Sequence, residues 1–383
     1  MPVRWARQAP SNARMSPAEF ASLSAAVLAV IFLLAAVLGF AMRETRFCTM
    51  GAISDVVYLQ DWTRMRQWAL AVGVAMCGAT ALVLWGGVAV ADTLYASNRL
   101  MWLSALVGGL LFGAGMVLAS GCSAKNLTRL GGGSLKALVV LLVMGLAAFA
   151  TLKGITAVAR VRWLDSVQLQ FDTLALLPEL LAQAGGWPVF ATRLALGMGL
   201  GGWLVLIALK PAKGAERSTA VLLGGAAVGL CVTAAWWLGG HVGEVAEHPE
   251  TLEHMYIGTY SGRIEALSFV TPVAHTLDWL LFFSDSNKVV TWGIASACGM
   301  VAGSLVHALW RRDFQWQGFA DTQDLARHLL GALLMGVGGV TALGCTVGQG
   351  ISAVSLLSLG SLIAIAAIVA GAVTMLRYLA AGE

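Results

Sequence analysis

Nine apolar runs, each near the ~20 residues that a helix needs to cross the hydrocarbon core of a bilayer, recur along this chain. They fall at roughly 20–42, 67–91, 100–120, 134–158, 187–209, 217–239, 288–310, 327–344 and 354–379. In lipid, backbone polar groups must be satisfied inside helices or a closed barrel, and runs of this length fit helices. Only 11% of the residues are charged, where a soluble domain carries about a quarter. The 45 glycines allow close helix contact and the 14 tryptophans can anchor the interfaces. The expected class is all-α: a polytopic membrane helix bundle of about nine transmembrane helices plus short re-entrant helices. A net charge of +4 is too small to argue for nucleic acid, and the scattered basic residues read as topology signals or lipid headgroup contacts. The first run is too long for a signal-peptide core and lacks a small-residue cleavage site, so it reads as a retained span. Arg4, Arg7 and Arg14 precede it in a short polar tail, 1–19.

Between the runs lie segments that cannot span. The stretch 163–184, with Asp165, Gln168, Gln170, Asp172 and Glu179, reads as an amphipathic helix in the interface. Residues 241–260 are acidic and His-containing and read as an exposed loop. Four pieces are too short or interrupted: 46–60, 121–133, 344–352 and 262–283, the last with Pro272 and His275. Broken backbone at membrane depth is tolerated only where protein or a cavity surrounds it, and transporters build binding sites there.

The chain also repeats itself. GGLLFGAGMVLASGC at 108–122 aligns with GALLMGVGGVTALGC at 331–345, an offset of 223 residues with nine of fifteen positions identical. The register continues through Ser123/Thr346 and Asn126/Gln349, and a Gly-Ser-Leu follows in each half, at 133–135 and, four residues further on, at 360–362. A fainter pairing joins Phe47-Cys48-Thr49 to Phe269-Val270-Thr271. The expected organisation is a first repeat over 20–158, an amphipathic linker plus connecting span over 159–210, and a second repeat over 211–383. With 187–209 as the linker span, equivalent spans are five apart. An odd separation inverts one half relative to the other, provided that 163–184 does not cross. Arg and Lys fall on both sides of any alternation; the expected orientation is an outside N-terminus and a cytoplasmic C-terminus.

Six cysteines without CxxC, a Cys/His cluster or a haem motif are neither a disulfide framework nor a metal site. Cys77, Cys231 and Cys298 lie within apolar runs and read as small packing residues. Cys48, Cys122 and Cys345 instead open broken segments. Around them Gly121, Gly344, Ser123, Thr346 and Thr49 free or supply N–H and O–H donors, which favour an anion. Asn126 and Gln349 add amides, and Arg46, Lys125 and Arg129 offset negative charge. A thiol is a poor donor for a hard oxyanion and suits a soft terminal sulfur. It must be neutral, since a thiolate would repel an anion, and apolar burial keeps the proton on. The competing readings are close helix packing for Gly-Cys, topogenic charge for Arg46, Lys125 and Arg129, and ordinary satisfied polar residues for His275 and His307. Gly197, Gly199 and Gly201 follow no strand, so they are not a dinucleotide fingerprint. No cofactor is implied.

At Phe47-Cys48, Gly121-Cys122-Ser123 and Gly344-Cys345-Thr346-Val347-Gly348-Gln349-Gly350 the chain resembles the YeeE/YedE family of sulfur-transport membrane proteins, over roughly 25–378. The resemblance implies a multi-pass protein of a bacterial inner membrane that imports thiosulfate, a small sulfur anion, and is not an enzyme. It also implies that Cys48, Cys122 and Cys345 pass the anion along by S–H···S contacts with no covalent step. A separate cytosolic sulfur carrier of the TusA type is the implied partner, none being fused to a chain that ends at Glu383. Two other readings stand beside transport: a sulfane-sulfur sensor that binds the same ligand, and a thiol oxidoreductase cycling Cys122 and Cys345 to a disulfide.

Overall fold

The computed structural model describes residues 15–210, 219–249, 251–285 and 288–381; Arg4, Arg7 and Arg14 lie outside them. The described chain is a helix bundle. Helix α1 (Pro17–Glu44) opens with a capping box between Ser16 and Glu19, and with proline in its first turn. A short α2 (Thr49–Ser54) follows, then α3 (Thr63–Trp85), which Gly86 ends in the left-handed region. Next come α4 (Trp102–Leu118), α5 (Ser123–Gly131), α6 (Leu135–Lys153) and a single turn, α7 (Ile155–Ala159). After them run α8 (Leu177–Gly185), α9 (Val189–Leu209), α10 (Thr219–Trp237) and α11 (Thr271–Leu281). The chain closes with α12 (Trp292–Arg311), α13 (Thr322–Thr341), a π-helical stretch Gly348–Ala353 and α14 (Leu359–Ala381).

Eight described helices are long and apolar enough to cross a membrane. The ninth expected span, 327–344, is α13. Its first turns carry Asp324, Arg327 and His328, which take it out of that class by hydropathy. It still joins the two faces of the bundle. Asp324 pairs with Lys136 at one end, and Thr341 lines a cavity at the other.

Helix packing repeats under exchange of the two halves. Helix α1 packs on α12 as α10 packs on α3, and α4 on α14 as α13 on α6. Helix α5 meets α12 as the π-helical stretch meets α3, and α2 meets α14 as α11 meets α6. The two equivalent helices α4 and α13 cross each other through a glycine seam. A Cβ on Gly115 would lie 2.6 Å from the Gly331 carbonyl oxygen, and one on Gly338 would lie 2.6 Å from that of Gly108. Those contacts exchange under the 223-residue offset, and they run in opposite chain directions. The two mates are therefore antiparallel, and the pseudo-two-fold axis stands across them, not along them. In lipid no hydrophobic force drives helices together, so such backbone approach is the main source of packing energy.

Three expectations change. In the stretch 163–184 a π-helical turn ends at Leu164 and the α-helix begins only at Leu177. Leu169–Gln170 instead forms a two-residue strand with Arg99–Leu100, and Phe171 and Ala175 donate to Asn98 and Ser97. Two acidic side chains of the stretch are held from neighbouring elements instead: Asp165 accepts from the Ser104 hydroxyl at 2.6 Å and pairs with Arg160 at 3.1 Å, and Glu179 pairs with Arg193. The stretch does not cross the bundle, so the odd count stands. The region 241–260 is not wholly exposed: Glu244–Val245 pairs with Met255–Tyr256, and Val245, Tyr256 and Ile257 are buried. The segment 262–283 is helical only from Thr271, where Pro272 occupies the first turn and starts the helix instead of breaking it.

Candidate functional site

Each of the three singled-out cysteines stands at the start of a broken helix. Cys48 is the N-cap of α2, and its sulfur accepts from the Gly51 N–H at 3.4 Å. Cys345 precedes the π-helical stretch and accepts from the Gly348 N–H at 3.5 Å. Cys122 is the N-cap of α5, with the Lys125 amide as the corresponding neighbour of its thiol. The sequence turns sharply before each. Arg46, Ser120 and Leu343 hold φ of 53°, 55° and 59°. Left-handed backbone at a non-glycine residue marks a position that its surroundings enforce. Each turn opens on a helix start, whose N–H groups favour negative charge, with the Gly51 and Gly348 N–H groups already taken by the cysteine sulfurs.

Cys122 is the neighbour that the other two thiols share. Cys122 lies within electrostatic reach of both Cys48 and Cys345, with the Thr346 hydroxyl beside it. Cys122 and Cys345 are 1% and 0% exposed, and Cys48 8%. Cys77, Cys231 and Cys298 stand apart. Cys231 faces the Leu34 carbonyl, Cys77 meets Gly201, and Cys298 is exposed.

The flanking polar residues divide. Both Asn126 side-chain hydrogens are engaged, donating to the carbonyls of Gly121 at 3.0 Å and Cys122 at 3.1 Å. Gln349 likewise donates to the Ala342 carbonyl at 2.6 Å. The matched amides therefore brace the two Gly-Cys turns, Asn126 with both of its hydrogens and Gln349 with one, a departure from the expectation that they are free donors. Ser123 and Thr346, the matched hydroxyls, are fully buried; Ser123 and the Gln349 side-chain oxygen have no partner, and the Thr346 hydroxyl has only the Cys122 thiol beside it. A buried polar atom left unpaired costs about 1–3 kcal/mol, which a polar ligand would offset. Thr49 is buried in the first turn of α2.

Cavities lie on both sides of this cluster. One of about 360 Å³ is walled by Arg43, Arg46, Arg64, Lys125, Arg129, Asp313, Ser120 and Cys48. Five cations against one carboxylate make it strongly positive, and Asp313 is already paired with Arg43 at 3.0 Å. At the other end of the bundle, cavities of about 390 and 360 Å³ share Leu94, Tyr95, Ser261 and Leu343; Gln349 lines the first and His275 the second. Ser120 and its repeat mate Leu343 thus border cavities at opposite ends, as the pseudo-symmetry requires. His275 stacks on Tyr260 with ring centroids 4.2 Å apart, and His307 bonds to Glu44 at 2.5 Å.

Sequence reading missed Arg43, Arg64 and Tyr95. Arg43 had a signal in its closeness to Cys48 along the chain. Tyr95 had none, since it sits in a loop and reaches the site only through the fold: its hydroxyl would lie 3.3 Å from a Cβ on Gly348.

Residues 44–374 match the family described as sulphur transport. Among curated proteins the chain is 26% identical over 337 residues to the thiosulfate transporter TsuA of Escherichia coli K12, covering 82% of this chain and 84% of that one. It is 28% identical over 269 residues to the thiosulfate transporter TsuA of Spirochaeta thermophila, covering 68% and 72%.

Proposed function

The chain belongs to the sulphur-transport family, and from that premise we propose that it carries thiosulfate across a bacterial inner membrane, between the two sets of cavities. The observation that carries the reading is the placement of Cys48, Cys122 and Cys345 at three helix starts, with a basic cavity opening on Cys48 and a second set of cavities beyond Gln349.

The chemistry of the ion fits a two-part site. Thiosulfate has a soft terminal sulfur and a hard sulfonate end. Neutral thiols meet the former by S–H···S contacts. The helix-start N–H groups and the buried hydroxyls of Ser123 and Thr346 suit the latter. Movement from Cys345 to Cys122 to Cys48 then exchanges one weak contact for the next and needs no bond to break. Lys125 and Arg129 draw the dianion toward the basic cavity.

The basic end is the cytoplasmic one in this reading. Arg43, Arg46, Arg64, Arg66, Lys125, Arg129 and Arg311 gather there, which the positive-inside rule assigns to the cytoplasm. In this reading the N-terminal end of α1 is outside and the C-terminal end of α14 inside, with inverted repeats over 20–158 and 211–383. A TusA-type sulfur carrier is a suitable acceptor at that face. The test is uptake of labelled thiosulfate into proteoliposomes by wild type and Cys345→Ala. Uptake that vanishes in a normally inserted variant supports the reading. A wild type that binds thiosulfate without moving it points to a sensor instead.

A further inference from the structure

A dianion entering an inside-negative cell moves uphill. At 100 mV each charge is opposed about fiftyfold, at 59 mV per decade, so two charges are opposed about 2,500-fold. A carrier that accumulates thiosulfate must offset that charge, and each proton brought in with the anion removes one factor of about fifty.

The outer cavities contain a candidate proton site. They meet at Tyr95 and Ser261, and Glu265 is the single carboxylate among the described residues that line them. Its carboxyl accepts from the Ser261 hydroxyl at 2.6 Å. Facing it across the cavity are Lys153 of α6, Arg160 of the turn after α7, His275 of α11, and Tyr260 and Tyr95 from the flanking loops. Tyr95 lies within electrostatic reach of both Glu265 and Cys345, and so links the carboxylate to the thiol cluster. An anion attracted by Lys153 and Arg160 would meet Glu265 as a like charge, and protonation removes that repulsion.

We infer that Glu265 is the proton-carrying group of a proton–anion symporter, an inference that rests on the thiosulfate reading above. Its carboxylate takes one proton from the outer medium as the anion enters. The carboxyl releases it past the Tyr95 hydroxyl toward the inner cavity, and the carboxylate is regenerated for the next cycle. Burial holds the Glu265 carboxyl above the ordinary carboxylate range, against the opposite pull of the Ser261 hydrogen bonds, so it loads nearer to neutral pH. Burial pushes the His275 ring the other way, to about 4, which leaves it neutral and unfit as the carrier.

The experiment uses full-length protein in proteoliposomes with labelled thiosulfate, an imposed pH difference and an internal pH dye. Wild type should accumulate about tenfold more anion per unit of outside acidity for one coupled proton, and thiosulfate addition should acidify the lumen. Glu265→Gln should lose both responses yet still exchange labelled for unlabelled thiosulfate at equal pH, which also shows that it is folded. Glu265→Asp should restore part of the coupling. A Glu265→Gln protein with the wild-type pH response overturns the assignment, as does a wild type that exchanges thiosulfate without moving protons. A wild type that neither exchanges nor accumulates thiosulfate removes the transport reading itself, and this inference with it.

Discussion

The Gly348 N–H points at the Cys345 sulfur from 3.5 Å, and the same three-residue step joins Gly51 to Cys48 at 3.4 Å. Cysteine here does what serine or aspartate does at an ordinary N-cap. Capping alone therefore gives no reason for sulfur. Serine would cap better, so the thiol must be present for another purpose.

That difference separates fold from transport. Cys345→Ser and Cys122→Ser should keep the turn, with stability changed by about 1 kcal/mol or less. Thiosulfate uptake should nevertheless fall to a tenth or below, because a hydroxyl is a hard, strongly hydrated contact for a soft sulfur. Melting temperature and initial uptake rate, measured on the same preparations, read the two effects. A double serine variant with full uptake would end the thiol relay.

The α4–α13 seam predicts an opposite pattern. A Cβ on Gly338 would sit 2.5 Å from the Phe112 nitrogen and 2.6 Å from the Gly108 oxygen, and backbone cannot move aside as a side chain can. Gly338→Ala should cost about 3 kcal/mol by forcing the helices apart. Gly199 of α9 has open space around its α-carbon, so Gly199→Ala should be neutral or stabilising by up to ~1 kcal/mol. Thermal melting in detergent compares the two, and equal melting would mean that the seam is looser than described.

The basic cavity should act on entry or exit of the anion and not on its recognition. Lys125 is half-buried beside Cys48, whereas Arg46 is exposed. Lys125→Ala should slow thiosulfate flux several-fold at any salt concentration. Arg46→Ala should slow it only at low ionic strength, since at 1 M salt the Debye length is ~3 Å. Flux measured at low and high salt distinguishes the two. If both effects vanish together in salt, the cavity works by long-range field alone.

Much of the architecture was legible because hydropathy and glycine spacing are local signals. The repeat gave Cys122 and Cys345 as mates, and the fold puts both at helix starts. The capping role of the thiols was not legible, since cysteine is no usual N-cap and the contact depends on a left-handed residue just before it. Nor was the basic cavity, which gathers Arg43, Arg64, Lys125 and Asp313 from four separate segments. The amides misled for a related reason. Asn126 is polar in an apolar setting, which suggests a ligand, yet its own turn offers two carbonyls within reach. The loop at 165–175 likewise reads as helix until its partners at Ser97–Arg99 are known.

Ser123 and Thr346 provide the sharpest test, because stability and function should move in opposite directions. Both hydroxyls are buried, Ser123 with no partner and Thr346 with only the weak Cys122 thiol beside it, so each holds a desolvation cost of up to about 1–3 kcal/mol in the empty protein. Ser123→Ala and Thr346→Val remove that cost and keep most of the shape. Without ligand, each variant should melt at or above the wild-type temperature, by the equivalent of about 1 kcal/mol. If the hydroxyls hold the sulfonate oxygens, each also forfeits a hydrogen bond to a charged group worth about 1.5–3 kcal/mol. The KM for thiosulfate should then rise about tenfold or more, and the melting shift that thiosulfate induces should shrink in step with the lost affinity. A variant that is stabilised and still transports normally would show the hydroxyls to be ordinary packing. The oxygen end of the ion would then have to be held by the helix-start N–H groups alone.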